Sequence, residues 1–187
     1  NLVGVISNGT AVLGLGIFAS SICVASTAVS REGITHEFRK SLPISGLDHL
    51  LPKLWIGMLV NNIALVIIAA AVCILLPAFI PAALLGFGVS QLANFALNAF
   101  SLSFDAAHPK LNWKTEQEAI KSNFNTMIVF LEALGLMALL AGVVFGVIKL
   151  GGTMAIGLLA ATLLLAAMAL WAWMCLRGKA SREYYLH

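Results

Sequence analysis

Apolar residues run along this chain in five long blocks, Thr10 to Val29, Leu54 to Leu76, Ala82 to Phe104, Asn123 to Ile148 and Thr153 to Leu176, with polar breaks between them. Each block reaches the roughly 20 residues that a helix needs to cross a hydrocarbon layer. The blocks are continuous and dense in Ala, Leu and Gly, without the two-residue alternation of a membrane barrel strand. The pattern therefore predicts an all-α, polytopic transmembrane helical bundle with about five spans, occupying the whole of residues 1–187 as one membrane domain.

Two breaks are long enough to hold structure of their own. In "SREGITHEFRKSLPISGLDHLLPK", Ile34 and Phe38 are four apart and share one helical face, with Glu37, Arg39 and Lys40 elsewhere around the turn. A short surface helix over Gly33 to Lys40 follows, stopped by Pro43. Ser45, with Asp48 three residues on, has the spacing of a capping box and starts a helix that runs into the second span, with Pro52 as a candidate kink. In "SFDAAHPKLNWKTEQEAIKSNFN", Pro109 ends the third span, because the residue before a proline is pushed out of the helical region. Leu111 and Trp113 suit a return to the membrane interface. Thr115 and Glu118 form a second capping box, so the next helix is expected to start near Thr115.

Composition agrees with the pattern. Of 187 residues, 60% are hydrophobic and 10% charged, where soluble domains carry roughly 25% charged residues. Ten of the eleven Lys and Arg, namely Arg31, Arg39, Lys40, Lys53, Lys110, Lys114, Lys121, Arg177, Lys179 and Arg182, fall in the breaks 30–53 and 105–122 or in the tail. Only Lys149 falls on the opposite side of the alternating spans. The positive-inside bias then makes the first side cytoplasmic, with the N-terminus outside and the C-terminus inside. A start at Asn1, with no charged n-region and an odd number of spans, adds the expectation of an upstream part with at least one more span. Cys23, Cys73 and Cys175 all lie within expected spans, which gives no disulfide framework, and the four His show no metal-ligand spacing. No metal site is expected.

A second set of polar residues lies at membrane depth. Gln91, Asn94, Asn98, Ser101 and Asp105 recur every three or four residues and form one stripe along the third span. Asn61 and Asn62 in the second span and Glu132 in the fourth lie at depths where they could meet that stripe. Asparagines there suit hydrogen bonding between helices. Glu132 is the one acidic or basic residue well inside a span; such residues face a bundle interior, a partner or water. Gly142 and Gly146 form a G-x-x-x-G pair of the kind used in close helix packing.

At the two long breaks the chain resembles the type-2 ATP-binding-cassette (ABC) exporter permeases. "SREG", "FRKSLPIS" and Lys53 are similar to their first cytoplasmic segment, and "DAAHPKLNWKTEQEAIKSNFN" is closer still to a group of large bacterial permeases of that class. His108 and Pro52 depart from the family pattern. The resemblance implies that Arg31, Glu32, Gly33, Leu42, Pro43 and Ser45, with Glu37, Phe38 and Arg39 of the intervening helix, belong to a loop coupled to a cytoplasmic ATPase subunit. It also marks Asp105, Pro109, Lys110, Leu111, Asn112, Trp113, Glu118, Lys121, Asn123 and Asn125 as a second family motif, with no mechanical role assigned to it.

The expected function is thus the membrane-spanning subunit of an ABC-type exporter in a bacterial cell membrane. The chain has no G-x-x-x-x-G-K-[ST] loop, so ATP and Mg are expected in the partner subunit and no cofactor in this chain. The expected surroundings are a lipid bilayer, the ATPase, and either a second permease copy or an upstream half, with no nucleic acid. Two other classes compete: an ion-coupled carrier using Glu132, and a membrane-embedded lipid-modifying enzyme, which lacks an evident set of catalytic groups.

Overall fold

The computed structural model describes residues 24–33, 35–114 and 124–184; the expected first span lies, up to Cys23, outside them. Among the described residues there is no strand. Two short 3-10 turns, Ala25–Thr27 and Ser30–Glu32, lead into α1 (Thr35–Lys40), α2 (Gly46–Leu75), α3 (Ile80–Ala107), α4 (Phe124–Lys149) and α5 (Met154–Tyr184). Four helices are long and apolar enough to cross a membrane: Gly46–Leu75, Ala83–Ala107, Met127–Lys149 and Met154–Ser181.

The helix ends follow local chemistry. α1 stops ahead of Pro43, and the Ser45 hydroxyl oxygen accepts from the Asp48 N–H at 3.1 Å, the expected N-cap of α2. The 30 residues of α2, with Pro52 in its second turn, span about 45 Å, longer than a hydrocarbon core of roughly 30 Å. A 3-10 turn at Pro77–Phe79 joins α2 to α3, and α3 ends at Ala107, just ahead of Pro109. Between α4 and α5 the chain reverses through Gly151, whose φ of +86° admits glycine with least strain. Gly152 N–H then donates to the Val147 carbonyl at 2.9 Å.

α3 is the central helix: half of its spanning window is buried, against 11% for α2 and 22% for α5. It packs on α2, α4 and α5, and on the turn at Ala25–Thr27. One apolar cluster, which includes Val29, Leu50, Leu54, Leu102, Ala106 and Leu176, joins α2, α3 and α5 at the end nearest α1. A second, which includes Ala93, Leu97, Leu136, Leu140 and Leu165, joins α3, α4 and α5 further along. The outward faces remain apolar, with Leu59, Ile63 and Ile67 on α2 and Leu163 and Leu170 on α5 exposed. Water would not tolerate so continuous an apolar surface, whereas lipid does. This is a membrane-embedded, multi-pass helical protein.

The glycines that permit close approach differ from the expected pair. A Cβ on Gly142 or Gly146 would meet nothing within 4 Å among the described residues, so neither draws two of these helices together. Gly57 and Gly157 do. A Cβ on Gly57 would lie 2.5 Å from Asn98 Oδ1 and 2.9 Å from Ala25 Cβ, and one on Gly157 would lie 3.2 Å from Val144 Cα. Gly57 thus lets α2 reach both α3 and the turn at Ala25–Thr27.

Candidate functional site

The two polar breaks, far apart in sequence, interlock at one end of the bundle. Asp105, on the last turn of α3 and fully buried, accepts from the Val29 N–H at 2.7 Å and the Ser30 N–H at 3.0 Å. Its other oxygen accepts from the Ser30 hydroxyl and from Asn125 Nδ2, the latter at 2.7 Å. The Ser30 hydroxyl in turn accepts from the Lys110 N–H at 2.9 Å, and Trp113 Nε1 donates to the Ser30 carbonyl at 2.9 Å. Every polar group of Ser30 therefore has a partner in the second break. The carboxylate of Asp105 does for these N–H groups, at the start of the turn Ser30–Glu32, what an N-cap side chain does at a helix start, and four donors replace the water it gives up on burial.

Gly33 completes the joint. Its φ of +52° lies in the region that side chains disfavour, and a Cβ there would sit 2.8 Å from Trp113 Cζ2. The indole occupies the space that the missing side chain leaves. Arg31 turns back on the preceding segment, donating through Nη2 to the Val24 carbonyl at 3.0 Å and through Nε to the Thr27 carbonyl at 3.3 Å. These are the carbonyls that a basic residue beyond a helix end is suited to satisfy.

Glu32 lies on the other side of the same turn and is buried. It meets His36 Nδ1 at 2.8 Å, His49 Nε2 at 3.1 Å and Lys53 Nζ at 2.5 Å. Burial opposes ionisation of this carboxyl, but the hydrogen bonds from His49, Lys53 and His36 and the nearby Lys53 charge outweigh it. They hold the group well below the usual carboxylate range. The pair Glu32 and His36 ties the start of α1, and the pair His49 and Lys53, one turn apart on α2, receives it. Sequence reasoning did not single out His36 or His49. Their signal was the four-residue spacing of Glu32 to His36 and of His49 to Lys53, which aligns each pair on one helical face.

The remaining motif residues have simpler settings. Glu37 is exposed, Phe38 is 69% exposed and Leu42, Pro43 and Ile44 are exposed, so α1 and its exit present an apolar and charged surface outward. Pro109, Lys110 and Leu111 are half-buried, and Asn112 is exposed. Arg39 belongs to α1. Glu118, Lys121 and Asn123, and the expected Thr115 capping box, lie outside the described residues.

The stripe along α3 is used in two ways. Asn94, Asn98, Ser101 and Asp105 are buried and Gln91 is half-buried. Asn61 Nδ2 donates to Asn94 Oδ1 at 3.1 Å, Asn94 Nδ2 to the Met58 carbonyl at 3.2 Å, and Asn98 Nδ2 to Asn94 Oδ1 at 2.7 Å, which ties α2 to α3. Ser101 bonds back to the Leu97 carbonyl at 2.6 Å. Asn62 and Glu132 do not join this network. Asn62 points to a separate cleft beside Trp55 and Leu59, because adjacent residues on a helix diverge by about 100°. Glu132 lies on the other side of α3, against Leu97, Phe100 and Trp171, and its Oε2 is buried with no hydrogen-bond partner among the described residues. Gln91 Nε2 is likewise without one. Cys73 and Cys175 are free thiols, and no cluster of metal-ligating side chains occurs among the described residues.

No protein family, curated protein or solved structure matches the chain.

Proposed function

We propose that this chain is part of the membrane-spanning permease subunit of an ABC-type exporter, which moves substrate with ATP hydrolysed by a separate cytoplasmic subunit that also holds the Mg. One observation carries the reading. The two segments on which the resemblance rests form a single buried joint through Ser30, Asp105 and Trp113, beside an exposed short helix, α1. Such a joint gives a force applied at α1 two rigid exits. One runs through Glu32 and Lys53 into α2, and the other through Ser30 and Asp105 into α3. Closure of the ATPase would then tilt α2 and α3 together. In this reading the joint faces the cytoplasm, as the positive-inside bias of the loops requires, and the protein resides in a bacterial cell membrane.

The test is to purify the full-length protein in detergent, identify the ATPase that accompanies it, and repeat with Glu37→Ala combined with Phe38→Ala. Both side chains are exposed, so thermal stability is expected to stay unchanged while ATPase association weakens by about tenfold or more. Association and ATP-driven transport that both survive in the double variant would refute the coupling role. Transport that follows a pH gradient and ignores ATP would move the assignment to an ion-coupled carrier.

A further inference from the structure

The fold satisfies most of the deep polar groups, but among the described residues it leaves Gln91 Nε2 and Glu132 Oε2 buried without a hydrogen-bond partner. Asn94, Asn98, Ser101, Ser103, Asp105 and Asn125 all hydrogen-bond within the bundle. Glu132 Oε2 is buried and has no such partner among the described residues. It lines a cleft of about 260 Å³ between α3, α4 and α5, whose other walls include Leu97, Phe100, Gly135, Leu139 and Trp171. Phe100 and Trp171 stand with ring centroids 5.2 Å apart, and Trp171 is half-exposed at the cleft's outer edge. No Lys or Arg lines the cleft.

We propose that this cleft is a binding site for a small hydrophobic ammonium, an aryl-alkylamine in its charged form. Glu132 would receive the ammonium and the aromatic rings would flank it. The chemistry is complementary in each part. A carboxylate in a low-dielectric cleft is strongly favoured by a charge-assisted hydrogen bond from an ammonium. Aromatic faces attract the same cation through their quadrupoles, and the apolar walls take the hydrocarbon body. The volume suits a small molecule and is far too little for a folded peptide or a sugar polymer. Gly135 borders open space in the cleft, since a Cβ there would meet nothing within 4 Å, so a larger side chain at this position has room to fill it. This site is separate from the joint at Ser30 and Asp105, and occupancy needs neither nucleotide nor a partner subunit.

The experiment is calorimetric titration of the full-length protein in lipid nanodiscs with phenethylammonium and, in parallel, with the neutral phenethyl alcohol of the same shape. Wild-type protein is expected to bind the ammonium more tightly than the alcohol. Glu132→Gln is expected to weaken the ammonium by about tenfold and leave the alcohol unchanged. Gly135→Leu, which fills the cleft, is expected to weaken both. Glu132→Asp retains the charge and is expected to retain more ammonium affinity than the Gln variant, which separates loss of charge from loss of fold. The proposal is overturned if the wild-type protein binds no ammonium above the empty nanodisc, if it binds alcohol and ammonium equally, or if Glu132→Gln binds the ammonium as the wild type does. Because no ATPase is present, none of these results bears on the exporter reading, and failure of that reading leaves them standing.

Discussion

Asp105 shows how one residue can decide the shape of a loop 75 positions away in sequence. Its buried carboxylate accepts two backbone N–H groups, a hydroxyl and an amide. An Asp105→Asn variant has nearly the same shape but turns one acceptor into a donor, which would face N–H groups that already need an acceptor. The expected loss is about 3 kcal/mol, the cost of leaving buried donors unsatisfied. Thermal unfolding in detergent would register it as a lower midpoint. Trp113→Phe removes the bond to the Ser30 carbonyl and trims the ring beside Gly33; the lost bond alone is expected to cost less, about 1 kcal/mol. A Phe variant as damaging as the Asn variant would show that indole packing over Gly33, rather than the hydrogen bond, is what Trp113 contributes.

At the scale of elements, the ion cluster at Glu32 fastens α1 to α2. Glu32 and Lys53 are both largely buried, with side chains 3% and 12% exposed. Removing one partner leaves the other's charge without compensation, so Glu32→Gln is expected to cost about 3 kcal/mol. Its pH dependence has a definite sign. The folded-state pKa of Glu32 is depressed, so its contribution is complete above the ordinary value of 4.5 and shrinks as pH falls below it. Below that value the unfolded chain takes up a proton that the folded chain still refuses. The difference in melting midpoint between wild type and Glu32→Gln should therefore narrow as pH is lowered from about 5 to about 3. A gap that widened over that interval would reject the cluster as a stabilising tie. The asparagine ladder between α2 and α3 is a weaker fastening, with each bond worth about 0.6 kcal/mol on average in a membrane. Its main effect is to fix which faces of the two helices meet.

For the whole molecule, three apolar helices pack around α3, and α2 is the most exposed of the four, with 11% of its spanning window buried. Alternation of the spans separates the joint at Asp105 from the turn at Lys149 to Gly152 by one membrane thickness. The proposed orientation, resting on the positive-inside bias, puts the joint in the cytoplasm. Single cysteines placed at the exposed positions Lys114 and Leu150, on a background without Cys23, Cys73 and Cys175, test this directly. In intact cells a membrane-impermeant maleimide is expected to label the Leu150 position and to reach the Lys114 position only after the cells are opened. Labelling of both positions in intact cells would exclude the assignment.

The apolar blocks by themselves determined that the described part of this chain is helical and membrane-embedded. Backbone groups in lipid must bond within the segment, and only helices of this length do so. Local signals likewise determined the ends: Ser45 with Asp48 begins α2, and Pro109 stands just past the end of α3. What sequence spacing left open was which polar groups meet. Sequence spacing placed Asn61 and Glu132 equally well to reach the stripe on α3, and only the packing angles brought Asn61 onto it and turned Glu132 to a cleft on the far side. The clamp of Asp105 and Trp113 on Ser30 joins residues 75 and 83 positions apart. No periodicity reports on such a distance, so that contact, and with it the role of the polar island at 103–125, was decided by tertiary structure alone.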